Sequence, residues 1–303
     1  MSTASPQIAP SDSITEDEQI GVFSAILVMI GRNKTLVAGF SLILLIGLFS
    51  LFGTLLIDPE RTEVGAGKPA QSPSSEHLLG TDQQGRDVFA DLAYGTPASL
   101  IIGLIAGVIG VGIGTALGFL AGYYRGYWDT FISLTTDVFL TIPALLVLVV
   151  IASMTTVLSI EAMGLLIGFF AWMGPARTIR SQVLSLRDRS YVDVAKFNGV
   201  RDIEIIWREL VPTLMPYIAA SFVGTVAAAI LASIGLSALG LGPQNEPSLG
   251  LTIYWSVTYG ALIREMWWWF GPPIVVIVML FIGLFLMTAG LDQVSNPRLR
   301  TSV

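Results

Sequence analysis

Two side chains and one charged stretch invite a chemical reading. Asp137 stands inside an apolar run, where an ionised carboxylate is expensive and therefore a functional flag. It could carry a proton or, lying near one end of its run and before Pro143, reach water or a partner subunit. His77 is the only histidine in the chain. Imidazole suits nickel, but one ligand does not build a metal site, and a plain loop histidine is the simpler reading. Zero cysteines exclude a disulfide framework, thiolate metal sites and thiol catalysis. The sequence has no Gly-x-x-x-x-Gly-Lys-Ser/Thr phosphate loop, no histidine–glutamate zinc motif and no Gly-x-Ser-x-Gly nucleophile elbow. It therefore has no recognisable means of cradling ATP phosphates, and hydrolase chemistry is disfavoured. The charged stretch is an island, Ala176 to Pro212, which holds seven of the sixteen Lys and Arg residues: Arg177, Arg180, Arg187, Arg189, Lys196, Arg201 and Arg208.

The elements that carry these residues are built for lipid. Hydrophobic residues make up 53% of the chain and charged residues 13%, with a mean hydropathy of +0.73, far from the usual soluble balance. Apolar runs of about 20 residues cross a hydrocarbon core as helices. Six are read here: Leu36 to Ile57, Ser99 to Gly122, Phe131 to Ser153, Ala162 to Ala176, Tyr217 to Leu241 and Phe270 to Leu291. Backbone polar groups in lipid must be satisfied internally, so these predict an all-α integral membrane protein of six transmembrane helices. With both termini in the cytoplasm, the Lys and Arg residues divide twelve inside to four outside, the sense that positively charged loops prefer. The island then faces the cytoplasm.

Residues 1–19, rich in Ser, Pro, Thr and acids, read as a disordered cytoplasmic tail. The following Ile20 to Gly31 is too short for a span and suits an interfacial helix. Residues 20–75 then comprise that helix, the first anchor and an external loop, and 76–303 the core. The first apolar run begins too late and lacks the small-residue site of a cleaved signal peptide, so it is expected to stay as an anchor.

Within the island, Tyr191 to Gly199 predicts a short helix stopped by glycine. A second stretch, Asp202 to Val211, is expected to stop at Pro212. Together they would form a rigid handle; the plainer alternative is a solvated positive loop. Gly110, Gly114, Gly118 and Gly122 recur every four residues, after Gly103 and Gly107, and make a small-residue ridge for close helix packing, within this chain or against a sister subunit. Outside, Thr81 and Asp82 are candidate helix caps, and Arg86 a partner for Asp82 or Asp87. Direct solute contact is the alternative for this segment. Trp267, Trp268 and Trp269 predict an interfacial aromatic anchor.

Asp193, Ala195, Gly199 and Pro212 resemble the EAA loop of ATP-binding cassette importer permeases. Val194 replaces the first of the paired alanines, and Glu209 stands where histidine is common. The segment from His77 through Gly80, Thr81, Asp82, Gly85, Arg86, Asp87 and Val88, followed by Tyr94-Gly95 and Ser99-Leu100, is similar to the start of the second span in the dipeptide/oligopeptide/nickel permeases, C-type subunit. Arg32-Asn-Lys34, Ala121-Gly-Tyr123 with Asp129, Leu239-Gly-Leu-Gly242 and Asn296-Pro-Arg-Leu-Arg300 resemble the same family.

The resemblance implies a type I importer permease fold with cytoplasmic coupling helices in a prokaryotic inner or plasma membrane. It places ATPase coupling on Tyr191, Asp193, Ala195, Gly199, Glu209 and Pro212, and substrate delivery on the side of Pro243 to Arg264. The partners it implies are a related B-type permease, two ATP-binding cassette ATPases and an extracytoplasmic solute-binding protein, with membrane lipid around the chain and no nucleic acid. ATP and magnesium would sit on the partner subunits, with no cofactor on this chain. The expected function is import of dipeptides or oligopeptides, with nickel or another small solute as the alternative. A self-contained proton-coupled carrier using Asp137, and a membrane scaffold, are the readings from other classes.

Overall fold

A computed structural model describes residues 33–155 and 158–295. The N-terminal tail, the interfacial helix at Ile20 to Gly31, Arg32 and the Asn296 to Arg300 motif lie outside the described residues. Apart from an isolated bridge between Thr81 and Asp87, regular structure among the described residues is helical. Four helices are long and apolar enough to cross a membrane unbroken: α1 (Lys34–Leu56), α2 (Val88–Tyr124), α8 (Asp202–Ala238) and α10 (Trp267–Ser295). Two bent pairs are long and apolar enough only when taken together, α3 (Gly126–Thr141) with α4 (Ala144–Met154), and α5 (Ile160–Phe170) with α6 (Met173–Arg187). Counting each pair as one span gives six. Two short α-helices, α7 (Ser190–Phe197) and α9 (Leu249–Thr258), and a 3-10 turn, Pro59–Thr62, complete the regular structure among the described residues.

Both breaks have a proline cause. Pro143 leaves no N–H for the ladder and forces Ile142 into an extended conformation, so α3 and α4 meet at 74°. Pro175 lies in the first turn of α6, where its missing N–H would have bonded the carbonyl of Ala171; the α5–α6 break at Ala171-Trp172 bends by 42°.

At Pro212 the structure departs from the sequence expectation. The helix does not stop there: it passes through a π turn, Ile206–Leu210, and runs on as the fifth span. The N–H of Val211 bonds the carbonyl of Ile206, five residues back. The widened turn accommodates the proline ring, which would otherwise press on the carbonyl four residues earlier. The second span also begins earlier than hydropathy suggests, at Val88 rather than Ser99.

α2 is the central member. Gly103 and Gly107 admit Ile230, Val226 and Phe222 of α8, and the four-residue ridge admits the backbone of α6 and its preceding break. A methyl group on Gly110 would meet Cβ of Ala171 at 2.7 Å; on Gly114, the carbonyl oxygen of Trp172 at 2.6 Å; on Gly118, that of Ala176 at 2.9 Å; on Gly122, Cβ of Val183 at 2.8 Å. The ridge therefore packs within this chain. α1 lies on α10 by the same device, with Gly39 against Met287 and Gly290 against Leu36. Asn33 ties this pair, its side-chain oxygen accepting from the N–H groups of Thr35 and Leu36 while its amide donates to the carbonyl of Gly290 at 2.9 Å.

Gly114→Leu should force α2 from α6 and cost at least about 1–3 kcal/mol, lowering the melting temperature of the detergent-solubilised protein. Gly112→Ala, where no atom lies within 4 Å of the added methyl, should melt no lower than the wild type, since alanine favours a helix interior over glycine.

Candidate functional site

The island folds as a two-helix handle with distinct inner and outer faces. Inward, Val192 of α7 and Ile205, Ile206, Leu210 and Leu214 of α8 are buried against Phe119 and Tyr123 of α2 and Ile179 and Val183 of α6. Tyr123 joins the pieces: its hydroxyl donates to Asp202 at 2.7 Å, and the charged groups of Arg187 and Lys196 lie 5.6 Å and 5.4 Å from its ring centroid. Such cation–π contacts contribute about 0.5–1 kcal/mol where exposed. Sequence reading missed this tyrosine's role; the signal was its position at the last helical turn before Arg125.

α7 ends in two bonds. Gly199 donates to the carbonyl of Lys196 at 2.9 Å, and Val200 to that of Ala195 at 3.1 Å. This Schellman arrangement needs a left-handed residue, and Gly199 has φ +75°. Ala195 is half-buried against the inner cluster, where a larger side chain would lift α7. Asp193, Glu209 and Pro212 are exposed. Tyr191 is near Glu209: burial first, and the glutamate's charge second, push its phenol above the ordinary value. The six predicted residues thus belong to one handle, with Gly199 and Ala195 shaping it.

The handle also carries exposed apolar side chains that are not packed away among the described residues, and two of them, Ile203 and Trp207, border an apolar groove against α2. Phe197 is 91% exposed and Trp207 66%, with Val194 and Ile203 also exposed. Large apolar side chains at the water-facing end of a membrane bundle mark an interaction surface. Two ion pairs tie α6 and the residue after it to neighbouring segments, Arg125 with Asp188 at 2.6 Å and Arg180 with both carboxylate oxygens of Asp129, while Arg177 and Asp137 stand 3.9 Å apart.

The Gly80 to Asp87 segment lies at the other end of α2. A helix of 37 residues separates the two sites by about 55 Å. This segment is tied to residues 61–71: Gly65 donates to Gln84, Gly67 to Gly85, Ala70 to Asp82 and Asp87 to Arg61. Thr81 donates to the carbonyl of Lys68 and accepts from the N–H of Gln71. Gly80, at φ +68°, leaves room for Trp268, whose ring would lie 2.8 Å from an added methyl.

The caps also differ from expectation. Asp87, not Thr81 or Asp82, caps α2, its Oδ1 accepting from the N–H groups of Phe89 and Ala90. Its Oδ2 meets His77 Nδ1 at 2.9 Å and Arg61 at 3.4 Å. Asp82 accepts from the backbone N–H groups of Gln84 and Arg86, and burial raises its carboxyl above the usual range against the pull of those bonds. Arg86 makes no side-chain ion pair among the described residues, because Arg61 and His77 occupy Asp87; its Nε is buried without a partner. His77 is a buried structural residue, and no cluster of three or more metal-ligating side chains occurs among the described residues.

Of the tryptophan triplet only Trp267 is exposed, its ring edge-on to that of Trp268. Trp269 is buried with Val88, Ala261 and Met266, and Trp268 donates to the carbonyl of Thr81. The Pro243 to Arg264 stretch contains α9, its start packed on Gly95 of α2.

Residues 114–301 match the model of the family described as binding-protein-dependent transport system inner membrane component. The dipeptide transport system permease protein DppC of Bacillus subtilis is 30% identical over 89% of this chain and 83% of its own. The oligopeptide transport system permease protein OppC of Mycobacterium tuberculosis is 29% identical over 73% of this chain and 77% of its own. Among solved structures, a chain of the inward-facing MetNI methionine ABC transporter aligns with a TM-score of 0.51 over 66% of this chain and 93% of its own, at 20% identity. That likeness concerns the fold.

Removing the cap at Asp87 should weaken the start of α2. Asp87→Ala loses two helix-cap bonds and leaves buried His77 unpaired, an expected loss of about 2–3 kcal/mol. Asp87→Asn keeps a cap acceptor and should lose about half as much in thermal unfolding.

Proposed function

Because the chain belongs to the binding-protein-dependent transport system inner membrane component family, a family of ABC importer permeases, we propose that it carries dipeptides or oligopeptides into the cytoplasm as one half of a permease pair. It is the permease component of such an importer, a multi-pass membrane protein whose family works with ATPases and binding proteins. The finer reading is a C-type subunit beside a related B-type permease in a prokaryotic inner or plasma membrane. Both termini and the handle face the cytoplasm, two ATPases that bind ATP and magnesium press on the handle, and a solute-binding protein delivers substrate outside. The peptide assignment follows the names of the relatives; nickel or another small solute is the alternative within the family.

The observation that carries this reading is the handle's asymmetry. Phe197 and Val194 on α7 stand exposed to a partner and Ile203 and Trp207 border a groove against α2, while the inner face is clamped to α2 and α6 and continues into α8. A push on Tyr191, Asp193, Ala195, Gly199, Glu209 and Pro212 would move those helices as a body. Nucleotide state then biases a two-state equilibrium between inward-facing and outward-facing permease pairs, which is alternating access. The proton-carrier reading is weaker, because Asp137 is 62% exposed and beside Arg177, without the enclosure that keeps a proton route separate from bulk water.

Purification through a tag on the tail, followed by mass spectrometry, should recover a second permease and ATPases in stoichiometric amounts. Recovery of a transport-competent protein alone would overturn the importer reading. In the assembled complex Gly199→Pro, which cannot adopt φ +75°, should insert normally and uncouple ATP hydrolysis from uptake, lowering uptake at least about tenfold, a loss of about 1.4 kcal/mol in coupling. Phe197→Ala should lower coupled uptake while stability stays within about 0.5 kcal/mol of wild type; undiminished uptake in both would count against the handle.

A further inference from the structure

α3 is the least covered of the helices that contribute to spans. Ile132 and Thr136 are buried, whereas Tyr127, Trp128, Phe131, Leu134 and Val138 are exposed. Among these apolar side chains Asp137 projects outward and meets Arg177 of α6. Their nearest atoms are 3.9 Å apart, and the side chains are 62% and 66% exposed. The pair beside it is different in kind: Arg180 grips Asp129 with two hydrogen bonds, and both groups are largely covered. One pair is closed and structural. The other is a cation and an anion held side by side, with their hydrogen-bonding capacity unspent.

A lipid-facing surface would not keep two open charges, which are costly in hydrocarbon. Beside them lies a small polar cavity of about 90 Å³ bounded by Ile132, Ser133, Thr136, Asp137, Arg177 and Arg180. At about 30 Å³ per water this is room for about three waters. It suits one charged terminus, with the body of a solute lying on the uncovered side of α3. Resting on the importer reading above, we propose that Asp137 and Arg177 form a charged step on the solute path, taking the ammonium and carboxylate groups of a zwitterionic small solute. Each end replaces the opposite partner of a loose ion pair, so neither protein charge is left unpaired during passage, and a solute lacking one terminus leaves one orphaned.

The absence of cysteine from this chain provides the test. Ser133→Cys, a near-isosteric change at a partly exposed wall of the cavity, is introduced into the complete importer, and alkylation of this chain by a small thiol reagent is timed. Dialanine should slow alkylation at least about fivefold, while dialanine amide, without the carboxylate, should not; the difference should vanish on adding Arg177→Gln. Asp137→Asn and Arg177→Gln should each lower dialanine uptake about tenfold, the scale of one charge-assisted hydrogen bond. Equal effects of the free and amidated peptides, an alkylation rate indifferent to both, or uptake within twofold of wild type in both charge variants would overturn the proposal. Those outcomes leave the importer reading standing, which fails separately if no ATPase accompanies the purified chain.

Discussion

The packing of this molecule depends on the closeness with which one helix backbone approaches another. Lipid gives little hydrophobic reward for helix association, so dispersion between tightly apposed surfaces must supply it. Along α2 the glycines at 110, 114, 118 and 122 remove the side chains that would hold α6 away, and carbonyl oxygens and Cβ atoms fill the space. The contact falls on the break at Ala171-Trp172 as well as on α6, so the same ridge that joins two spans supports the place where one of them bends.

From that seam the two ends of the molecule gain their geometry. At one end the inner cluster around Tyr123 welds α7 and the start of α8 to α2 and α6. At the other, Asp87 begins α2 and gathers His77 and Arg61 around its second oxygen. A continuous helix links the two, and elastic deformation is a poor sink for displacement in a close-packed body. On the proposed coupling role, a push on the handle would be passed to helix positions rather than absorbed in loops.

Hydropathy made the centres of the apolar helices legible, four of them unbroken and two as bent pairs, because a run of about 20 apolar residues has few other uses. The glycine stop at 199 was legible for a stereochemical reason: few residues other than glycine occupy the left-handed region cheaply. What was not legible depended on competition between neighbours. Thr81, Asp82 and Asp87 all have capping side chains, and only the fold shows that Thr81 and Asp82 are engaged by the loop while Asp87 faces the helix end. Pro212 looked like a terminator, because a single sequence gives no sign that a π turn will absorb its missing donor. The tryptophans at 267–269 share a composition but not a face, and helical rotation alone sends one outward and another into the interior. Phe197 and Trp207 were within the island from the start; their importance is a matter of exposure, which sequence does not state.

The length of α2 has a consequence for the surrounding bilayer. At about 55 Å it exceeds the roughly 30 Å hydrocarbon thickness by almost half its length, and its first third carries buried Asp91, Thr96 and Ser99. Polar groups sheltered by protein free that part of the helix from any need to match acyl chains. The end of α2 that begins at Asp87 can therefore extend beyond a hydrocarbon layer at little mismatch cost. Pro97 falls in the same first third and removes one ladder hydrogen bond, so a bend of α2 there lies outside the stretch that must match the acyl chains.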